Sequence, residues 1–143
     1  MTYRQIEDFA QNEKDLYDFE SCWEDYRKAV KHGIQAIPEI ELRNLHNRFA
    51  MLSAHAEMRA AIARGNEARA KNALALTEKQ LLVTTYKDGA MNSRVAQLGG
   101  DKSYQAANEN YEETKYTTII EEGKAKACSI VVSALSREIG KYK

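Results

Sequence analysis

Cationic side chains recur through the middle of this sequence at intervals that suit contacts with a phosphate backbone. Five lie on one predicted helix, three lie in the stretch that follows it, and two tyrosines flank that stretch. Spaced Lys and Arg neutralise successive phosphates, and tyrosine rings stack on unpaired bases. The pattern predicts a nucleic-acid-binding site that consists of Arg59, Arg64, Arg69, Lys71, Lys79, Tyr86, Lys87, Arg94, Lys102 and Tyr104.

The charge is unevenly distributed, although the formal net charge of the chain is zero. Residues 1–40 hold five cationic and nine acidic side chains, whereas residues 41–94 hold nine cationic and five acidic ones. Regions of opposite charge attract each other as well as outside partners. The basic residues therefore have two readings: they bind a polyanion, or they form a solvated face that pairs with the acidic first helix.

Residues for catalysis or metal binding do not form a recognisable set. His46 and His55 are nine positions apart, which misses the i, i+4 spacing of a helical zinc pair, and His32 stands alone. The segment "GGDKS", residues 99–103, resembles half of a phosphate-binding P-loop but lacks the preceding glycine at the right offset and a preceding strand. We therefore predict a protein that is not an enzyme and that has no metal or cofactor.

Composition predicts an all-α protein. The chain has 143 residues with a single proline and seven glycines, so long spans contain nothing that interrupts a helix. No run approaches the ~20 apolar residues of a membrane span, and the polar start "MTYRQIEDF" does not resemble a signal peptide. We expect a cytoplasmic protein with no membrane partner. In that compartment Cys22 and Cys128 are predicted to be buried free thiols rather than a disulfide.

Apolar residues at helical spacing predict three helical segments in a single domain, residues 1–143. They are an acidic, aromatic-rich helix within residues 1–36, a long basic helix over residues 38–87 and a C-terminal helix over residues 101–141. The stripe of the first helix runs from Tyr3 to Lys31, with Gly33 as a left-handed cap. The fold class is a long-helix hairpin or bundle of three to four helices.

The second helix raises the question of oligomerisation. If unbroken, it would be about 70 Å long at about 1.5 Å per residue, too long for a compact monomer of this size. Either it breaks near Gly65, or it forms an arm that packs against other subunits. We expect a homo-oligomer, because a lone subunit would leave much of the apolar stripe exposed.

The stretch between Tyr86 and Tyr104 is predicted to be a plain connection between helices. Gly89 would end the second helix, and Gly99-Gly100 would precede a helix start that Asp101 or Ser103 caps.

The order "EKQLLVTTYKDGAMNSRVAQLGGDKSYQAANENYEETKY" followed by "EEGKAKACSIVVSALSREIGKYK" resembles the small helical recombination mediators of tailed phages, the UvsY-like family. The shared features are a helix that ends in a basic, tyrosine-containing stretch, a short polar linker, and a last helix with early aromatic residues and a "SALSREI"-like turn. The resemblance covers roughly residues 66–143.

This resemblance implies a ring-like homo-oligomer that binds single-stranded DNA and assists a recombinase on strands covered by single-strand-binding protein. It points to Lys79, Tyr86, Lys87 and Arg94, and it implies the host cytoplasm if the protein is phage-encoded. A second hypothesis is a helical adaptor or inhibitor, such as a phage anti-defence or assembly factor. Such a protein would bind a partner through acidic residues of the first helix, namely Asp15, Asp18, Glu20, Glu24 and Asp25.

Overall fold

The computed structural model describes residues 18–142, and this part of the chain contains four α-helices, one short 3-10 helix and no strand. The elements are α1 (Phe19–Ala29), the 3-10 helix (Ile34–Ala36), α2 (Glu39–Thr84), α3 (Met91–Gly99) and α4 (Lys102–Ile139). The prediction of an all-α helical bundle is therefore confirmed. No helix within the described residues is both long enough and apolar enough to cross a membrane.

The chain forms two compact units. The terminal unit comprises Met1–Ile62 and Ile120–Lys143, and the central unit comprises Ala63–Ile119. Helices α2 and α4 each contribute one part to both units. The prediction that the whole chain is a single domain stays a prediction.

Helix α1 begins later than the sequence pattern indicated. Asp18 has an extended backbone (φ −74°, ψ 117°) and caps α1, because its carboxylate accepts a hydrogen bond from the backbone N–H of Glu20. The predicted helix from Tyr3 to Lys31 therefore does not run unbroken through Asp18, and its first part lies outside the described residues. Gly33 has the expected positive φ of 96°, but it introduces the 3-10 helix instead of closing α1.

Three helices enclose the core of the terminal unit. Apolar side chains of α1, the first part of α2 and the last part of α4 meet around Phe49, which is fully buried. The ring of Trp23 lies edge-on to the rings of Phe49 and Tyr26, at centroid distances of 5.8 and 5.7 Å. Cys22 and Cys128 are buried free thiols in this core, as predicted.

Helix α2 is continuous through Gly65, so of the two alternatives left open by the sequence, a break near "RGN" does not occur. One glycine in a helix interior costs only about 1 kcal/mol relative to alanine. Alanines surround Gly65, and those at positions 63 and 70 are buried, so helix propensity and packing together offset that cost. The helix ends at Thr84, three residues before the predicted end of the segment at residue 87.

The central unit contains a helix that the sequence did not predict. Between Tyr86 and Tyr104, where we expected a plain connection, α3 forms nine residues of helix. Gly89 (φ 100°) lies in the turn before α3, and Gly100 follows its last residue. The glycines that suggested an irregular connection therefore delimit a helix.

Helix α4 starts where one of the two predicted caps placed it. Asp101 Oδ1 accepts a hydrogen bond from the backbone N–H of Tyr104 at 3.1 Å, which confirms Asp101 as the capping residue. The helix ends at Ile139, two residues before the predicted end at residue 141.

Candidate nucleic-acid interface

Nine of the ten predicted DNA-contacting residues lie in the central unit, and only Arg59 lies in the terminal unit. Within the central unit, the charge changes sign along the chain. Residues 63–102 hold seven Lys or Arg and four Asp or Glu, whereas residues 103–119 hold one Lys and three Glu. This distribution favours contact of a polyanion with residues 63–102 over residues 103–119.

A hydrogen bond between Tyr86 and Asp101 closes the segment that contains α3. The phenolic O–H of Tyr86 donates to Asp101 Oδ2 at 2.8 Å, while Asp101 Oδ1 caps α4. The O–H donated by Tyr86 lowers the pKa of Asp101, and the backbone N–H of Tyr104 lowers it further. The same hydrogen bond raises the pKa of Tyr86. The side chain of Tyr86 thus has a fixed structural partner.

Arg94 closes the C-terminal end of α2. Its Nε donates to the carbonyl of Tyr86 at 2.6 Å, and its Nη2 donates to the carbonyl of Leu82 at 2.7 Å. The last carbonyls of a helix lack intrahelical donors and carry partial negative charge, so a guanidinium is a favourable partner. Arg94 therefore positions Tyr86, with two of its five N–H groups engaged.

Lys87 and Lys102 are the chain neighbours of Tyr86 and Asp101, so the Tyr86–Asp101 hydrogen bond holds them in one region of the central unit. Both lysines are exposed, as are Lys71 and Lys79 on α2. Among the described residues, none of these four lysines has an ion-pair partner. Their ammonium groups remain available to phosphates.

The other three predicted residues of the central unit are not simply exposed side chains without partners. Arg64 and Arg69 are exposed on α2, and each also interacts with another group of the protein. Tyr104 is half-buried in the first turn of α4.

Arg59 is separate from this group and has its own partner. Its Nε and Nη2 donate to the two carboxylate oxygens of Glu121 at 3.2 and 3.3 Å. The Glu121 side chain is only 9% exposed, so its charge depends on Arg59 for compensation. This two-point contact between α2 and α4 gives Arg59 a structural role in the terminal unit.

Within residues 18–142, an ion pair joins the acidic first helix to the basic second helix, as the second reading of the charge distribution expects. Arg48 Nη1 of α2 lies 2.7 Å from Asp25 Oδ2 of α1, and this hydrogen bond raises the pKa of the arginine. Arg48 is not one of the ten predicted DNA-contacting residues. This contact therefore leaves the four exposed lysines unaffected.

The structure also brings together residues whose relationship the sequence did not show. His46 Nε2 lies 2.8 Å from Ser136 Oγ, ninety positions away, beside a cavity of about 260 Å³. Asp101 was predicted only as a cap, and its bond to Tyr86 left no local signal because the partners are fifteen positions apart. Within the described residues, no three His, Cys, Asp or Glu side chains cluster closely enough to bind a metal ion.

The fold and this candidate site define an all-α protein with exposed lysines next to the Tyr86–Asp101 hydrogen bond. The chain matches no family model, no curated protein and no solved structure.

Proposed function

We propose that this protein binds single-stranded DNA without catalysing a reaction. The observation that carries the proposal is the position of Lys87 and Lys102. These two exposed lysines without ion-pair partners lie beside the Tyr86–Asp101 hydrogen bond, with Lys71 and Lys79 exposed on the preceding helix. Spaced ammonium groups bind phosphates irrespective of base sequence.

A single strand is a better partner than a duplex for two reasons. Tyr86 and Tyr104 are both partly accessible, and a tyrosine ring can stack on an unpaired base but not on one inside a duplex. In addition, the exposed lysines are spread over α2, the segment after it and the first turn of α4, and a flexible strand can contact cations on several elements.

The biological role within this proposal is that of a recombination mediator. The protein acts as a homo-oligomer that assists a recombinase on strands covered by single-strand-binding protein. This role rests on the resemblance of residues 66–143 to the UvsY-like mediators, and its DNA-binding step rests on the lysines described above.

A salt titration on oligo-dT tests the DNA-binding step. Each phosphate contact on a single strand contributes about −0.7 to the slope of log K against log salt. Three or four lysine contacts therefore weaken binding about 20- to 50-fold between 50 and 200 mM salt, as fluorescence anisotropy would measure. Duplex DNA of the same length is the comparison, and we expect it to bind more weakly. An affinity for oligo-dT that does not change with salt would overturn the proposal.

Several acidic residues of the adaptor or inhibitor hypothesis already have partners within the protein. Asp15 lies outside the described residues, whereas Asp18 caps α1 and Asp25 binds Arg48. Glu24 forms an exposed ion pair with Lys28, in which Oε1 of Glu24 lies 3.3 Å from Nζ of Lys28. A stoichiometric protein partner together with no affinity for oligo-dT would favour this hypothesis over the first.

A further inference from the structure

The central unit has large apolar side chains on its surface and mostly small ones in its interior. Its buried residues are two alanines, one leucine and one threonine. Six larger apolar residues are at least half exposed, namely Leu76, Val83, Met91, Val95, Tyr116 and Ile119. Exposed apolar groups that share one face of an element indicate a contact surface for a partner.

On α2 the exposed apolar residues lie away from the interior. Leu76 and Val83 are 56% and 65% exposed and stand two helical turns apart. At about 3.6 residues per turn, they lie roughly 120–140° around the axis from the buried Ala70. Lys79 lies between them and is exposed. We call Leu76, Lys79 and Val83 the basic apolar face.

On α4 a matching face carries the opposite charge. Tyr116 and Ile119 are 68% and 67% exposed, roughly 100–160° around the axis from the buried Thr118. Glu112 lies one turn before Tyr116 on the same side and forms an exposed ion pair with Lys115 at 3.5 Å. Glu109 and Glu113 have no ion-pair partner among the described residues, and they keep this side of α4 negative. We call Glu112, Tyr116 and Ile119 the acidic apolar face.

We propose that the basic apolar face of one copy packs against the acidic apolar face of a second copy of this chain. The two faces fit each other because both have apolar residues at helical spacing, and because Lys79 on one faces carboxylates on the other. Opposite charges across an apolar contact favour this pairing over two identical faces, where like charges would meet.

This contact is heterologous, since it joins two different surfaces of the same chain. Each copy therefore keeps one basic and one acidic apolar face for further partners, and association continues until a ring closes or a filament forms. The inference rests on the homo-oligomer of the proposed function and identifies the surfaces that form it. Lys79 belongs both to the basic apolar face and to the predicted DNA-contacting residues, whereas Lys87 and Lys102 belong to neither face. L76E/V83E and Y116K/I119K therefore test self-association without changing a predicted DNA-contacting residue.

Variants in which one of the two faces is blocked by added charges test the pairing in the absence of DNA. L76E/V83E places carboxylates on the basic apolar face, and Y116K/I119K places ammonium groups on the acidic one. We expect each variant to weaken self-association about 100-fold or more and to elute as a monomer in size-exclusion chromatography with light scattering. Because each retains one intact face, an equal mixture of the two forms a 1:1 dimer and nothing larger.

The control variant I40E/I130E changes two exposed apolar residues of the terminal unit. We expect it to retain the oligomer mass of the wild type. Circular dichroism confirms that every variant is folded. In a second measurement, K79E and E112K each weaken association, and K79E/E112K restores it. A monomeric wild type, a blocked variant that keeps the wild-type mass, or a mixture that stays monomeric would each overturn the pairing. None of these results bears on the affinity for oligo-dT.

Discussion

The phenolic O–H of Tyr86 donates to the carboxylate of Asp101 at 2.8 Å, and this one contact joins the segment after α2 to the first turn of α4. Arg94 of α3 supports the same tyrosine, because its guanidinium donates a hydrogen bond to the backbone carbonyl of Tyr86. These contacts hold Lys87 and Lys102 in one region of the central unit, although fourteen residues separate them in the chain. The arrangement of Lys87 relative to Lys102 depends on this contact.

The Tyr86–Asp101 hydrogen bond predicts how stability depends on pH. The pKa of Asp101 is lowered from its usual 3.8, so the stabilisation is present above that value and is lost as the pH falls through the lowered pKa. The pKa of Tyr86 is raised from 10.0, so the stabilisation is present below that value and is lost as the pH rises through the raised pKa.

Thermal unfolding of the wild type and Y86F between pH 2.5 and 11 checks this dependence. We expect Y86F to be less stable than the wild type by a constant amount between about pH 5 and 9, because both groups keep their native charge there. The difference shrinks at both extremes. An equal difference at all pH values would show that the hydroxyl stabilises the fold in some other way.

Arg94 is predicted to hold the end of α2 and α3 together. Replacement by Gln removes two charged hydrogen bonds to carbonyls, and we expect a loss of about 1–3 kcal/mol in the free energy of unfolding. Amide hydrogen exchange should become faster around Leu82 and across α3, while α1 keeps its protection. R137Q, which changes an exposed arginine of α4, is the matched control and should leave both quantities unchanged.

Arg59 is predicted to affect stability and not DNA binding. R59Q leaves the Glu121 carboxylate buried without its charged partner, and we expect a loss of about 1–3 kcal/mol on chemical denaturation. The affinity of the folded variant for oligo-dT should equal that of the wild type. A tenfold loss of affinity without a loss of stability would show that Arg59 contributes to DNA binding.

Cys128 is predicted to be unreactive in the folded protein. Burial raises the pKa of its thiol to about 11, and the neighbouring Cys22 adds to this effect. At pH 8 about one thiol in a thousand is then the reactive thiolate, against roughly a quarter for an ordinary cysteine. Labelling with iodoacetamide should therefore be at least 100-fold slower in buffer than in denaturant, as peptide mass spectrometry would measure. C22A controls for modification of the other thiol, and fast labelling of the native protein would contradict the burial of Cys128.

The core of the terminal unit depends on Phe49. F49A removes a fully buried ring that contacts Trp23 and Tyr26, and we expect a loss of about 3–5 kcal/mol in the free energy of unfolding. F49L keeps most of the volume and should cost less. Equal stability of F49A and the wild type would show that this ring does not stabilise the folded state.

Local signals in the sequence were sufficient for the two long helices and for one cap. Apolar periodicity and the scarcity of proline predicted α2 and α4, and the position of Asp101 after two glycines predicted the start of α4. The continuity of α2 through Gly65 was left open because local propensity and packing compete there, and packing is not visible in the sequence. The nine residues of α3 were missed because glycines at both ends suggested a connection.

The candidate site was predictable only in its residue types. Spacing identified Lys87 and Lys102 but did not show that Tyr86 and Asp101 hold them in one region. It also grouped Arg59 with the other cations, although its partner Glu121 is sixty-two positions away. Such contacts between distant residues depend on how helices pack, and no local rule predicts which side chains then meet.

Binding of K87E/K102E to oligo-dT tests the central claim most directly. The control variant K31E/K126E makes the same change in net charge at two exposed lysines of the terminal unit. We expect K87E/K102E to bind at least tenfold more weakly, with a salt slope smaller by about 1.4, while its thermal stability is unchanged. K31E/K126E should lose little affinity. Equal losses in the two variants, or no loss in K87E/K102E, would contradict a DNA-binding site at Lys87 and Lys102.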